Sequence, residues 1–297
     1  MRNAPVDRQS TAGCGALKRT LQEVLDIPDR AVRPGAPYRN DERDRAVLKS
    51  VLTAGMAAVL AVLPSAFARA DAEAAKKALE ARLQGERIES VKPTPFAGLY
   101  EVIVASPRGS LVMYTDEKAQ FLFAGGALLD VRSAPYKDLT RETVSRLNAA
   151  LIHASLKLAV KRVKGNGQRT LITFEDPNCP YCKALQKELV QLTDVTIYTF
   201  LWPFLSESSL TKSQAVWCAK DRGKAFEDLM LRDQVPPADK AGCEYRAEPV
   251  HDMARRLGLQ GTPAIFLADG TEYTGPRTAQ ALDQALKEAK AAGGGGR

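Results

Sequence analysis

The stretch Asp176-Pro177-Asn178-Cys179-Pro180-Tyr181-Cys182 constrains this chain more than any other. Its two cysteines follow an apolar run (Leu171, Ile172, Phe174) and precede a helix-patterned one (Ala184, Leu185, Glu188, Leu189, Leu192), which puts them at a strand-to-helix junction. A helix N-terminus presents unpaired N–H groups and about half a positive charge, which favours thiolate over thiol. A cysteine at such a place falls from a pKa of about 8.5 into a range of about 3.5 to 7.5 and becomes reactive at neutral pH.

Length and charge exclude some classes. The 297 residues, 45% of them hydrophobic, suffice for two ordinary domains and rule out a disordered or fibrous chain. The net charge of +7 invites a nucleic-acid partner. Residues 1 to 70 carry 11 Lys+Arg against 7 Asp+Glu, however, so the rest holds 42 − 11 = 31 against 35 − 7 = 28, a net of only +3. No basic stripe interleaved with aromatics appears, and a nucleic-acid partner is not expected.

The apolar run from Val51 to Leu63 follows Lys49 and an Arg-rich segment and precedes Pro64-Ser65-Ala66-Phe67-Ala68. Residues 47–70 read as a secretory signal peptide, with small residues for cleavage at Ala66 and Ala68 or at Ala68 and Ala70. A spanning helix needs about 20 apolar residues, more than this run offers. Residues 1–46 read as an unstructured extension, with translation beginning near Val47. Removing Cys14 with it leaves Cys179, Cys182, Cys218 and Cys243, the even number expected in an oxidising compartment.

Residues 71–135 predict a small module. A helix covers Asp71 to Leu83, and short β-rich runs follow over 87–92, 99–105, 110–115, 120–123 and 127–132, separated by Pro and Gly turns. So small an antiparallel sheet leaves edges open to a second chain, and dimerisation through it is expected. Residues 136–165 predict a linker helix from Asp138 to about Lys164, stopped by Gly165-Asn166-Gly167. His153 within it has no second ligand near it in sequence and reads as a packing or surface residue.

From 166 to 292 strands and helices alternate: strand 170–174, helix 182–192, strand 195–201, a helical region over 208–232, helix 249–257, strand 264–267, a short strand near Tyr273 and helix 278–291, with a flexible tail at 293–297. The fold class is α+β with a C-terminal α/β domain. Thr262-Pro263 before the strand Ala264–Leu267 fits either an ordinary turn proline or a cis peptide presenting the Thr262 backbone to an extended peptide. Cys218 and Cys243 read as a structural disulfide whose loop is worth about 3.5 kcal/mol in chain entropy. The rival reading, zinc held by all four cysteines, suffers from the wide split of the second pair, so no metal and no cofactor are expected. Glu175 and Asp176 are near enough in sequence to serve the Cys182 proton, and read equally as solvated capping residues.

Together these motifs resemble the DsbC/DsbG family of bacterial periplasmic protein-disulfide isomerases. The resemblance spans about residues 71–292: Val91-Lys92-Pro93-Thr94-Pro95, Phe174 to Cys182, Ala215-Val216-Trp217-Cys218-Ala219-Lys220-Asp221, Lys224-Ala225-Phe226 and Gly261-Thr262-Pro263-Ala264. Pro180-Tyr181 is similar to the DsbG branch, and Trp217-Cys218-Ala219-Lys220 to the DsbC branch. The resemblance implies a thioredoxin-like catalytic domain with a helical insertion and a V-shaped homodimer whose two catalytic domains face an apolar cleft. It also implies an exposed nucleophile Cys179, a buried partner Cys182, and substrate contacts from Pro180, Tyr181, Thr262 and cis-Pro263.

The activity so implied is rearrangement of wrong disulfides in exported proteins, with a DsbD-like membrane thiol reductase restoring the dithiol and with chaperone activity beside it. The same pair serves a reductase of sulfenylated cysteines or a dithiol oxidase, and a cleft that acts without its thiols makes a chaperone-type binding module.

Overall fold

The computed structural model describes residues 64–237 and 242–294. The expected extension, the expected start near Val47, Cys14, the apolar part of the expected signal peptide and the last three residues lie outside them. Among the described residues, no helix is long and apolar enough to cross a membrane.

Helix α1 (Pro64–Arg82) packs on β1 (Arg87–Pro93), and β1, β2 (Leu99–Ser106), β3 (Gly109–Asp116) and β4 (Leu122–Ala124) form an antiparallel sheet in that order. The helix contributes Ala72, Ala75 and Leu79, spaced three and four apart and therefore on one face. They meet Ile88, Val91, Tyr100, Val102 and Val104, the inward side chains of the sheet. The first three strands fall within one residue of their sequence expectation. Beyond β4 the expected strand over 127–132 shrinks to β5 (Leu129–Asp130), paired with β6 (Lys137–Asp138).

Helix α2 (Leu139–Ala154) is capped by Asp138, whose side chain accepts the Arg141 N–H at 2.8 Å. It ends ten residues short of the helix predicted to reach Lys164. A single 3₁₀ turn at Leu156–Leu158 leads instead into β7 (Val160–Lys164), which pairs antiparallel with β9 (Val195–Leu201). The period-two pattern was hard to see because its inward positions are Val160, Arg162 and Lys164, two of them basic, while Val163 points outward. Gly270 sits against α2 with a φ of +80°, and a Cβ there would lie 2.1 Å from the Ser145 carbonyl oxygen.

The second sheet runs β10-β8-β9-β7, with β8 (Arg169–Glu175) parallel to β9 and β10 (Ala264–Leu267) antiparallel to β8. Its central strands are buried on both faces, as a covered sheet requires. Phe174 stacks on Phe200 at 4.8 Å and meets Phe266 edge-on at 5.9 Å on one face, while Leu171 and Ile197 meet Leu185, Leu189 and Leu282 on the other. The covering helices are α3 (Pro180–Leu189), α4 (Glu207–Cys218), α5 (Arg222–Arg232), α6 (Glu248–Arg256) and α7 (Ala279–Gly294). The helical region expected over 208–232 is therefore two helices: α4 stops at Cys218, and Asp221 restarts the chain by capping the Lys224 N–H. Near Tyr273 the structure has one bridge, Phe266 to Glu272, and α7 continues through Gly294 into the expected tail.

Candidate active site

Strand β8 and helix α3 meet at the cysteine pair. Cys179 is the N-cap of α3, with an extended backbone (φ −73°, ψ 119°), and Pro180 occupies the first helical turn, where a missing N–H costs nothing. The Cys179 sulfur accepts the Cys182 backbone N–H at 3.4 Å, and its other near neighbour is the Thr262 carbonyl oxygen, also at 3.4 Å. The Thr262–Pro263 peptide is cis, and the Pro263 carbonyl accepts from Arg277. Both cysteines are free thiols.

Tyr181 is 70% exposed, whereas Cys182 is fully buried. Cys179 is 4% exposed, far less open than the nucleophile the sequence led us to expect, because the Thr262 loop lies over its sulfur. Burial pushes the Cys182 thiol well above its usual range, the Glu175 carboxylate adds to that, and the Thr262 side chain pulls the other way. Cys182 is therefore a protonated thiol at neutral pH.

Glu175 and Asp176 are both buried, and the reading of them as solvated caps is replaced by two networks. Both carboxylate oxygens of Glu175 accept from Gln186 Nε2, at 2.7 and 2.8 Å. The Gln186 Oε1 accepts from Arg162 Nη1 at 2.7 Å, so a neutral amide stands between the buried acid and the buried base. Burial raises the Glu175 pKa, and the Arg162 charge and the hydrogen bonds from Thr173 and Gln186 oppose the rise. Asp176 accepts four donors: the N–H groups of Asn178 (2.7 Å), Phe204 (2.9 Å) and Leu205 (3.0 Å), and the Ser209 hydroxyl (2.7 Å).

Cys218 and Cys243 form a disulfide with a Cα–Cα distance of 5.7 Å. Gln214 braces it, donating to the Cys243 carbonyl at 2.8 Å and accepting the Tyr245 N–H at 2.6 Å. The bond takes two donors from the zinc alternative, and no His, Cys, Asp and Glu group among the described residues could hold a metal ion.

The residues missed from sequence are Gln186, Arg162 and Ser209. Gln186 carried a signal, a polar residue one turn after Cys182 between Leu185 and Leu189. Arg162 carried none, because an isolated arginine in a basic run reads as surface.

Residues 66–141 match the disulfide bond isomerase protein N-terminal domain, and residues 156–290 match the thioredoxin-like domain. Over 216 residues the chain is 39% identical to the probable thiol:disulfide interchange protein DsbC of Bordetella parapertussis, covering 72% of this chain and 74% of that protein. It belongs to the DsbC family of thiol:disulfide interchange enzymes. The thiol:disulfide interchange protein DsbC of Escherichia coli K12 is 28% identical over 230 residues, covering 75% of this chain and 91% of that one. A crystal structure of a disulfide interchange protein from Neisseria gonorrhoeae aligns at 32% identity with a TM-score of 0.43, covering 46% of this chain and 98% of that one.

Proposed function

We propose that this protein is a periplasmic disulfide isomerase and reductase in which Cys179 attacks and Cys182 resolves. The observation that carries it is the division of labour between two free thiols: one caps α3 beneath the Thr262 carbonyl, and the other is sealed in the core. As a thiolate, Cys179 attacks one sulfur of a substrate disulfide and forms a mixed disulfide, and the other substrate sulfur leaves as a thiolate. If a different substrate thiolate attacks the substrate sulfur of this mixed disulfide, Cys179 leaves as a thiolate, its electrons are returned and the disulfide has moved. If Cys182 attacks Cys179 instead, the substrate leaves reduced by two electrons and the enzyme holds a Cys179–Cys182 disulfide, which a membrane thiol reductase must reduce again. The buried Glu175 carboxylate is the base at hand for the Cys182 proton. Pro180, Tyr181, Thr262 and Pro263 form the surface that meets the substrate.

A homodimer through the N-terminal sheet is part of the proposal. Supporting it, β4 is an edge strand, and Phe96, Phe121, Phe123, Val131 and Tyr136 are exposed on this module. The same apolar surface favours a chaperone activity that outlives the thiols. Export rests on the apolar segment at 51–63 and on the Cys218–Cys243 bond.

Refolding of scrambled ribonuclease tests the exchange reading. Cys179→Ser abolishes the recovery and Cys182→Ser accumulates mixed disulfides, whereas full recovery with Cys179→Ser would refute it. Suppression of aggregation by a variant lacking both thiols separates the chaperone reading.

A further inference from the structure

We propose that Phe204 and Leu205 form a rigid apolar shelf beside Cys179 that selects disulfides flanked by apolar side chains in an unfolded polypeptide. The proposal rests on the exchange reading above and adds a specificity determinant to it.

Parallel pairing places the shelf. Glu175 is opposite Leu201, so the chain leaves β8 and β9 at the same end of the sheet. The Trp202 N–H donates to the Glu175 carbonyl at 2.8 Å and extends the match by one residue. Three residues after Glu175 in one strand comes Asn178, next to the nucleophile; three residues after Leu201 in the other comes Phe204. Both segments are tied to one buried group, since Asp176 accepts from the backbones of Asn178, Phe204 and Leu205. Asn178 then spans to α4, donating to Ser206, Ser208 and Ser209 at 2.7 to 3.0 Å and accepting from Lys212 at 2.8 Å.

A backbone held this firmly would be free to turn its side chains inward. It leaves Phe204 41% and Leu205 49% exposed instead, with the Phe204 ring stacked on Trp202 at 4.5 Å. Lys183 and Lys212 share the single Asp233 carboxylate, at 2.8 and 3.8 Å, which offsets part of their charge. The occupant this fits is an extended chain with an aromatic or branched aliphatic residue next to its cysteine. A native protein buries such residues and a misfolded one exposes them, so the shelf biases exchange toward misfolded chains.

The test uses the full chain in its reduced form and two cyclic disulfide peptides that differ only in Leu or Ser beside one cysteine, with kcat/KM read for each and dithiothreitol as the reductant. The readout is the ratio of the two values, which does not depend on the folded fraction of any variant. The wild type favours the Leu peptide by about tenfold, the discrimination one partly buried apolar side chain supplies. Phe204→Ser with Leu205→Ser brings the ratio to near one, and Leu205→Ser alone, which keeps the Trp202–Phe204 stack, gives an intermediate ratio. A ratio near one in the wild type, or one that stays near ten in the double variant, overturns the shelf. A wild type inert toward both peptides and toward glutathione disulfide overturns the exchange reading itself.

Discussion

Gln186 donates its side-chain N–H groups to both carboxylate oxygens of Glu175, one helical turn beyond Cys182 on the same helix. Its oxygen faces Arg162, so the two buried ionisable groups communicate through an amide that cannot itself change charge. The state of Glu175 is thereby left to a balance between burial and the Arg162 charge, and burial wins.

That balance gives a pH dependence. A carboxyl whose pKa is raised by folding contributes stability that is full below its unfolded pKa and is lost as pH rises through the folded value. Gln at 175 cannot ionise and removes the term. The stability of the wild type relative to Glu175→Gln should therefore decline as pH rises above the ordinary carboxylate range, measured by urea midpoints at each pH. In a Cys179→Ser background the same substitution should lower the pKa of the Cys182 thiol, followed by thiolate absorbance, since the Glu175 charge is, after burial, the next cause of its rise. A parallel pair of stability curves would mean that folding does not raise the Glu175 pKa.

Cys182 should resist alkylation in the native reduced protein. Its side chain is fully buried and its thiol is held protonated by burial, whereas only a thiolate attacks iodoacetamide at a useful rate. Brief treatment followed by peptide mapping should find the label on Cys179, with Cys182 labelled only after urea is added. Comparable labelling of both without urea would mean that the Thr262 loop and α3 open together.

Removing the second bond should cost stability. Cys218→Ala with Cys243→Ala frees a loop whose closure is worth about 3.5 kcal/mol in the entropy account, and measured losses for native disulfides run from about 2 to 5 kcal/mol. The Gln214 contacts to the Cys243 carbonyl and the Tyr245 N–H remain, and so does the Tyr245 hydroxyl bond to the Leu201 carbonyl. The loss should therefore stay in that range when urea unfolding of variant and wild type is compared, without collapse of the domain.

The outline of the fold was readable because most of it is written in apolar spacing. The strands Val195–Leu201 and Ala264–Leu267 fall where the sequence places them, and the Cys179–Cys182 spacing at a strand-to-helix junction marks the dithiol. What stayed hidden depends on burying polar groups. Arg162 and Lys164 take the inward positions of β7, so a strand looked like the basic end of a helix, and Glu175 and Asp176 read equally as solvated caps or as acids serving Cys182 because carboxylates are rarely buried without partners. Their partners come from far along the chain, Gln186 for one and Phe204, Leu205 and Ser209 for the other, and no local pattern announces them.

Asp176 gives the sharpest test of that hidden layer. Its Oδ1 accepts from the Asn178 N–H and the Ser209 hydroxyl, and its Oδ2 from the Phe204 and Leu205 N–H groups. An asparagine offers one oxygen and one NH₂ in the same space. With its oxygen toward Phe204 and Leu205, the NH₂ faces the Asn178 N–H, donor against donor, while Ser209 can rotate to accept. One backbone donor is then stranded, at about 1–3 kcal/mol. Alanine strands three, so Asp176→Ala should be the more damaging by a margin that urea midpoints resolve. Both should loosen the 203–206 segment, read as faster amide exchange at Phe204 and Leu205, with Asp176→Ala ahead of Asp176→Asn. If Asp176→Asn matched the wild type in both measurements, water would be satisfying these donors and the carboxylate would not be what fixes this loop to the cysteines.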